Sequence, residues 1–239
     1  MGFVVTIDGP AAAGKSTTAR EVARVLGYLY LDTGALYRGL AVRVLRGGVD
    51  PDDPAAVAES CRGATLSLGG SPESPVIVLD GADITDEIRE PRVSELASRL
   101  AAYPAVRACL IETQRAMAAR GPVVAEGRDL GTVVFPDAQA KIYLDADLDT
   151  RARRRYEELA HRGIGVPLDE VRGDMERRDE RDRNRAESPL RPAPDAEYLD
   201  TTGMTVAQQV DAVLAAVERA RSRGRGGPLN TERGGLEIA

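Results

Sequence analysis

The stretch Phe3–Ser16 reads FVVTIDGPAAAGKS, and it decides the fold of this chain. Its second half satisfies the pattern G-x-x-x-x-G-K-[ST], with an apolar run before it and an amphipathic helical pattern after it. Glycines let such a loop curl so that its backbone N–H groups point inward, toward phosphate oxygens. The stretch therefore predicts a loop that binds the phosphates of a nucleoside triphosphate. The Lys15 ammonium is expected to interact with the negative charge of the phosphoryl group as it is transferred, and the Ser16 hydroxyl is suited to bind Mg²⁺.

Five short apolar runs are predicted to be buried strands, with helical patterns between them: Phe3–Ile7, Tyr28–Leu31, Pro122–Ala125, Lys141–Leu144 and Glu197–Leu199. This alternation predicts an α/β fold of the P-loop NTPase type, with a five-stranded parallel sheet and helices on both faces. An acidic residue ends every run: Asp8, Asp32, Glu126, Asp145 and Asp200. Ligands lie beyond the carboxyl ends of parallel strands, so we expect the site at this edge, although acids there are also ordinary turn formers.

Two segments interrupt the alternation. Residues 64–85 contain β-like runs and the strong hairpin signal Asp80-Gly81, which predicts a small antiparallel insertion. Residues of about 150–187 are dense in charge and contain a loop between two polar helices, with too few apolar residues to lie flat on a core, which predicts a mobile helical lid. We expect one domain over residues 1–221 that ends in a helix from Val206 to about Arg221, followed by a disordered tail over 222–239.

Bulk composition excludes several classes of protein. A chain of 239 residues can form one α/β domain with small insertions, but not two catalytic domains. Two cysteines without a CxxC motif support neither a disulfide framework nor a zinc site. A net charge of −6 argues against broad nucleic-acid binding. The start lacks the pattern of a signal peptide and no apolar stretch of ~18 residues occurs, so we expect a cytoplasmic protein without a membrane partner.

The phosphate loop alone leaves the function open, because GTPases, ATPases and kinases share it. A GTPase would require an N-K-x-D motif, which the sequence lacks. A motor or transporter ATPase would usually be a larger assembly. A non-catalytic regulator would have little use for a second anion site and a lid. A kinase for a small acceptor needs both, because water would otherwise hydrolyse the donor.

Three further motifs are expected at the same edge of the sheet: DTGALYR (32–38), EGRDLGT (126–132) and RDERDRNR (178–185). In the last of these, Arg178, Asp182 and Arg185 share one helix face. This face predicts a second anion site. The competing interpretation is a solvated helix face with ion pairs worth ~0.3 to 0.5 kcal/mol each.

Taken together, the motifs resemble those of the bacterial cytidylate kinases, which phosphorylate CMP and dCMP with ATP. The resemblance covers residues 3–220 and rests on IDGPAAAGKST, LDTGALYR, ASRLAAYPAVR, EGRDLGTVVFPDA, KIYLDA and RRDERDRNRAESPL, with the insertion near 64–85. It departs at Leu36, where methionine is commoner, and beyond about residue 222. It implies a nucleoside monophosphate kinase domain with an NMP-binding region over 33–100. We expect a monomer that acts on ATP and on CMP or dCMP; the alternative acceptors are UMP, AMP and dTMP.

The resemblance also implies roles for individual residues. It assigns the ATP phosphates to Gly9, Pro10, Ala11, Ala12, Ala13, Gly14, Lys15, Ser16 and Thr17. It assigns the acceptor phosphate to Arg38, Arg128, Arg178 and Arg185, and the ribose to Thr33 and Asp182. The cytosine ring is assigned to Ser98, Arg107 and Asp129, and lid closure on the donor phosphates to Arg154 and Arg155. The residues expected to act in catalysis are Lys15, Arg128, Arg154, Arg155 and Arg185.

A phosphate acceptor fits the shortage of candidate bases. The only histidine, His161, falls in the predicted lid. A phosphate monoester, with a second pKa near ~6, is already an anionic nucleophile at neutral pH and needs no base. It needs charge neutralisation and alignment, which arginines and Mg²⁺ provide. We expect Mg²⁺ to be held by Ser16 and the phosphates, with either Asp32 or Glu126 acting through water.

Overall fold

The computed structural model of the protein describes residues 2–225, and a five-stranded parallel sheet forms its centre. In chain order the elements are β1 (Val4–Asp8), α1 (Lys15–Leu26), β2 (Leu29–Asp32), α2 (Thr33–Arg46), α3 (Pro54–Arg62), β3 (Leu66–Gly70), β4 (Pro75–Leu79), β5 (Ala82–Asp83), α4 (Pro91–Leu100), α5 (Pro104–Ala118), β6 (Val123–Gly127), β7 (Ala140–Asp145), α6 (Leu148–His161), α7 (Leu168–Asn184), β8 (Glu197–Asp200) and α8 (Val206–Arg225). A 3₁₀ turn at Glu87–Arg89 and a π-helical turn at Leu130–Val134 complete the order.

The central sheet has the strand order β2-β6-β1-β7-β8 and confirms all five predicted strands within one or two residues. Strand β1 is buried along its whole length because it pairs with β6 on one side and β7 on the other. Val5 and Ile7 pack with helices α1 and α8 on one face. Val4 packs with the end of α5 and with the π-helical turn on the opposite face. Helices therefore cover both faces, as the uninterrupted apolar runs predict.

The insertion is an antiparallel sheet of three strands, β3-β4-β5, which confirms the hairpin prediction. Asp80 and Gly81 both have positive φ, 50° and 84°, the geometry that a tight two-residue hairpin turn requires. The insertion packs on α2 where a glycine allows close approach, because a Cβ on Gly39 would lie 2.6 Å from Leu66 Cδ2. It thereby belongs to the same core as α2, α4 and α5.

The predicted lid consists of α6 and α7, joined by a loop, and it has more of a core than the sequence suggests. Four buried side chains form this core: Ala152, Leu159, Val171 and Met175. Ala11 and Ala12 of the phosphate loop pack against it. The base of the lid thus rests on the loop that is predicted to hold the donor phosphates.

The last helix is longer than predicted, because α8 continues to Arg225 rather than ending near Arg221. Residues 222–225 of the predicted tail are therefore helical, and residues 226–239 lie outside the described part of the chain. No helix within residues 2–225 is long and apolar enough to cross a membrane.

Candidate active site

A cleft of about 490 Å³ lies at the carboxyl ends of β1, β2 and β6, between the phosphate loop, the NMP-binding region and the lid. Most of the predicted site residues line it: Ala11, Ala12, Lys15, Ser16, Thr33, Arg38, Ser98, Arg107, Arg128, Asp129, Arg155, Arg178, Asp182 and Arg185. The structure therefore brings residues from six separated segments of the chain to one place.

The phosphate loop has the tight backbone that its glycines predict. Gly9 has a φ of 147°, and a Cβ there would lie 1.9 Å from the carbonyl oxygen of Leu144 on the neighbouring strand. Gly14 has a φ of 95° and ends the loop directly before α1 begins at Lys15. The free N–H groups at the start of this twelve-residue helix form a site that favours anions.

Lys15 lies inside the loop and is only 6% exposed. Its ammonium donates a hydrogen bond to the carbonyl oxygen of Pro10 at 2.5 Å. Burial lowers the pKa of Lys15, and the positive charges of Arg128 and Arg178 lower it further, against the opposing effect of Glu126. An anion in the cleft would relieve this accumulation of positive charge.

Glu126, at the end of β6, is the carboxylate beside Ser16. The Ser16 hydroxyl donates to Glu126 Oε2 at 2.8 Å, and the Tyr30 hydroxyl donates to the other carboxylate oxygen. Burial raises the pKa of Glu126, and the negative charge of Asp32 adds to this effect. Asp32 itself faces α2, where it caps Ala35 N and pairs with Arg38 Nη2, both at 2.9 Å. The geometry thus favours Glu126 over Asp32 as the carboxylate that supports an ion held by Ser16.

The arginines of the predicted acceptor site surround Asp182. Arg128 donates to Asp182 Oδ2 at 3.1 Å and to the carbonyl oxygen of Gly9 at 2.9 Å. Burial would raise the pKa of Asp182, but the charges of Arg128, Arg178 and Arg185 outweigh it and the net effect is a lowered pKa. Because Asp182 is buried in this cluster, the interpretation as a solvated helix face is not supported.

Two of these arginines have buried atoms that lack a partner. The Nε atoms of Arg178 and Arg185 are inaccessible and form no hydrogen bond within the described residues. Burial lowers the pKa of Arg178 to about 10, and the nearby charge of Arg128 contributes. Buried donors without an acceptor are costly, so their arrangement here fits the binding of an anion.

The three residues assigned to the base, Ser98, Arg107 and Asp129, also line the cleft. Arg107 of α5 and Asp129, directly after β6, form a buried ion pair. Arg107 also donates to the Tyr37 hydroxyl at 3.4 Å. The Ser98 hydroxyl is buried and has no hydrogen-bond partner among residues 2–225. A carboxylate, a guanidinium and a free hydroxyl can together recognise a ring that presents both donors and acceptors.

Arg154, which is predicted to act with Arg155, does not line the cleft. Its guanidinium donates to the hydroxyl and carbonyl oxygens of Thr201, at 3.1 and 2.6 Å, beyond the end of β8. The neighbouring Arg155 points into the cleft and pairs with Glu158 at 2.8 Å. Adjacent helical residues point about 100° apart, which explains why only one of the two can face the cleft. Thr17, on the exposed side of α1, also lies outside the cleft lining.

Sequence reasoning missed several residues that the cleft contains. Tyr37 lines the cleft next to Arg38, and the motif DTGALYR contains it without indicating a role for it. Arg162, after α6, donates to the carbonyl oxygen of Arg89 at 2.7 Å and so joins the lid to the NMP-binding region. Nothing in the sequence distinguishes Arg89 and Arg162 from the surrounding charged residues. Asp8, one of the acids predicted at this edge of the sheet, does not line the cleft. It accepts hydrogen bonds from Leu130 N and Gly131 N and so holds the turn after Asp129.

The fold and the cleft together define a P-loop kinase for a small acceptor: a phosphate loop faces a second cationic site across one cleft, under a helical lid. The chain belongs to the cytidylate kinase family, whose model matches residues 5–219. The cytidylate kinase of Bordetella bronchiseptica (strain RB50) is 49% identical over 211 residues, which cover 88% of this chain and 93% of that protein. The cytidylate kinase of Pelotomaculum thermopropionicum is 47% identical over 218 residues, which cover 91% of this chain and 96% of that protein. Among solved structures, a gluconokinase from Sinorhizobium meliloti 1021 matches with a TM-score of 0.46 and 16% identity, over 95% of this chain and 98% of its own.

Proposed function

We propose that this chain transfers the terminal phosphoryl group of ATP to the phosphate of CMP or dCMP, which yields ADP and CDP or dCDP. The observation that carries the proposal is that one cleft contains both Lys15 with Ser16 and the cationic group of Arg38, Arg128, Arg178 and Arg185. Two anionic substrates would meet there end to end. The names of the relatives support cytidylate as the acceptor.

The donor would bind with its β- and γ-phosphates against the loop N–H groups and Lys15. An oxygen of the acceptor phosphate attacks the γ-phosphorus, and the bond from the γ-phosphorus to the bridging oxygen breaks, which releases ADP. No side chain has to remove a proton, because the acceptor oxygen is already anionic. Arg128 is well placed for both substrates, since it lies between Gly9 of the donor loop and Asp182.

Ser16 and Glu126 would hold Mg²⁺ together with the donor phosphates. Their oxygens are 2.8 Å apart at the mouth of the loop, and oxygen ligands are those that Mg²⁺ prefers. The Ser16 hydroxyl would bind directly, and Glu126 would accept hydrogen bonds from a coordinated water. When bound, the ion neutralises charge on the β- and γ-phosphate oxygens.

Arg107, Asp129 and Ser98 would recognise the base. Cytosine presents an amino donor beside two acceptors, which suits a carboxylate beside a guanidinium. Arg155 and Arg162 of the lid would help to exclude water from the cleft. A cytoplasmic monomer without a nucleic-acid partner remains our prediction for the form in which the protein acts.

The decisive experiment measures ADP release from ATP with a panel of acceptors: CMP, dCMP, UMP, AMP and dTMP. We expect CMP and dCMP to be used with the highest kcat/KM. Arg178→Met should lower kcat/KM for CMP by roughly 100-fold or more, because it removes a charged partner of the acceptor phosphate. Arg177→Met is the matched control on the same helix, since Arg177 is exposed and pairs with Asp174. A preference for another monophosphate, or ATP hydrolysis that no acceptor stimulates, would refute the proposal.

A further inference from the structure

Arg151 connects the lid to the phosphate loop although it does not line the cleft. It lies in the first turn of α6, and its side chain is 4% exposed. Its Nε donates to the carbonyl oxygen of Ala146 at 2.9 Å, and its Nη1 makes a longer bond of 3.4 Å to the carbonyl oxygen of Ala11. The guanidinium is therefore buried against the backbone of the donor loop.

The same guanidinium holds helix α7. Arg151 Nη1 lies 2.7 Å from Oδ2 of Asp179, which is also 4% exposed. Asp179 directly follows Arg178 and precedes Asp182 by three residues, so the helix that holds the acceptor residues is anchored by this pair. The other carboxylate oxygen of Asp179 is buried and has no partner in the described part of the chain. Arg151 thus provides most of the positive charge that compensates the buried carboxylate of Asp179.

Stability alone is a weak reason for this ion pair. Removing two charges from water costs more than the pair usually returns, and well-packed apolar residues of similar size are often as stable or more stable. An apolar pair, however, could not bind a loop carbonyl. The planar guanidinium can donate to Ala146, Ala11 and Asp179 at once, which a compact ammonium cannot do.

A second contact from α6 reaches the same loop. Arg154 holds Thr201, and the Thr201 hydroxyl lies 3.0 Å from the carbonyl oxygen of Ala13. Helix α6 therefore reaches the donor loop directly at Ala11 and through Thr201 at Ala13. These two points lie on either side of Ala12, whose φ is +58°, a conformation that non-glycine residues rarely adopt. The loop is held by the lid helix as well as by its own glycines.

We propose that Arg151 is a positioning residue for the transfer reaction. It fixes the donor loop at Ala11 and the acceptor helix at Asp179 through one guanidinium, so that the two substrate sites keep one relative position. This inference rests on the proposed function for the roles of Arg178 and Asp182. It concerns the ATP site directly, and ATP binding can be measured without an acceptor.

The test compares two changes at this pair with a matched control, all in the full chain. Arg151→Met combined with Asp179→Leu replaces both charges by apolar groups, and Arg151→Lys keeps the charge but loses the fork of donors. Arg172→Gln is the control, because Arg172 also joins α7 to α6, at Asp149, but both side chains are exposed, 45% and 70%. Each protein is measured for thermal unfolding, for the Kd of Mg-ATP by calorimetry, and for kcat and KM with CMP.

We expect the double variant and Arg151→Lys to fold, yet to bind ATP roughly tenfold or more weakly and to turn over more slowly. The control should match the wild type. Wild-type ATP affinity and turnover in both Arg151 variants would overturn the inference, and if the double variant does not fold, Arg151→Lys decides alone. A wild-type protein that binds ATP but does not phosphorylate CMP would refute the proposed function, whereas the ATP affinities would still decide the role of Arg151.

Discussion

Arg107 and Asp129 form an ion pair in which the two side chains are only 4% and 8% exposed. The pair joins α5 to the turn that follows β6, and Arg107 also donates a hydrogen bond to the Tyr37 hydroxyl. The resemblance assigns Asp129 to the cytosine ring, and in the structure the same carboxylate compensates a buried guanidinium. Under the proposed function, base recognition and stability are therefore linked at one residue.

Asp129→Asn should affect both properties. The change leaves Arg107 buried beside a neutral amide, so we expect a loss of roughly 3 kcal/mol in the free energy of unfolding. The amide can donate to the O4 of uracil, so the ratio of kcat/KM for CMP over UMP should shrink by ~10-fold or more. Denaturation and steady-state kinetics measure the two effects. Asp52→Asn, in an exposed pair with Arg99, should alter neither, and an equal loss for CMP and UMP would assign Asp129 to positioning alone.

Lys15→Arg should retain the charge but lose most of kcat. Lys15 is enclosed by the loop and already contacts the carbonyl oxygen of Pro10, so the larger planar guanidinium does not fit. We expect kcat to fall roughly 100-fold. Lys141→Arg is the control, because Lys141 is the other lysine of the chain and pairs with Asp195, away from the cleft. Near-normal turnover of Lys15→Arg would refute the role of Lys15.

Glu126→Gln and Asp32→Asn should show which of the two carboxylates supports Mg²⁺ binding. Glu126 accepts the Ser16 hydroxyl, so its loss should raise the Mg²⁺ concentration needed for half-maximal activity by about tenfold. Asp32 pairs with Arg38, so its loss should raise the KM for CMP and leave the Mg²⁺ requirement unchanged. Activity measured against free Mg²⁺ at fixed ATP distinguishes them, and a Mg²⁺ requirement raised by Asp32→Asn alone would reverse the assignment.

Asp8 should give an unusual dependence of stability on pH. Burial raises its pKa from the ordinary 3.8 to about 6, although Leu130 N and Gly131 N donate to it. Because the folded protein binds this proton more tightly than the unfolded chain does, protonation of Asp8 adds to the free energy of unfolding. This contribution, roughly 3 kcal/mol, is complete below pH 3.8 and is lost as the pH rises through 6. The free energy of unfolding of the wild type relative to Asp8→Asn should therefore rise as the pH falls from 7 to 4.

Urea denaturation at several pH values checks this prediction. Asp200→Asn is the control of opposite sign, because hydrogen bonds from Thr202 lower the pKa of Asp200, so its contribution is lost as the pH falls. A difference between wild type and Asp8→Asn that stays constant from pH 4 to pH 7 would show that Asp8 does not titrate in this range.

The sequence predicted the sheet because each of its strands is a short apolar run, and it predicted the phosphate loop because the motif lies between a strand and a helix. It did not distinguish Arg154 from Arg155, since their directions depend on packing against Thr201, which is distant in the chain. The choice between Asp32 and Glu126 likewise depended on the neighbours of each carboxylate. The sequence did not indicate a role for Arg151, because its burial depends on an ion pair with Asp179, which belongs to another helix.

The contact between Arg162 and residue 89 has a consequence for protein engineering. Arg162 binds the main-chain carbonyl of residue 89, not its side chain, so the bridge across the cleft does not constrain which amino acid stands there. Position 89 lines the cleft and can be varied in charge or size while the lid keeps its attachment point. It is therefore a suitable library position for altering which acceptors enter, without first redesigning the bridge.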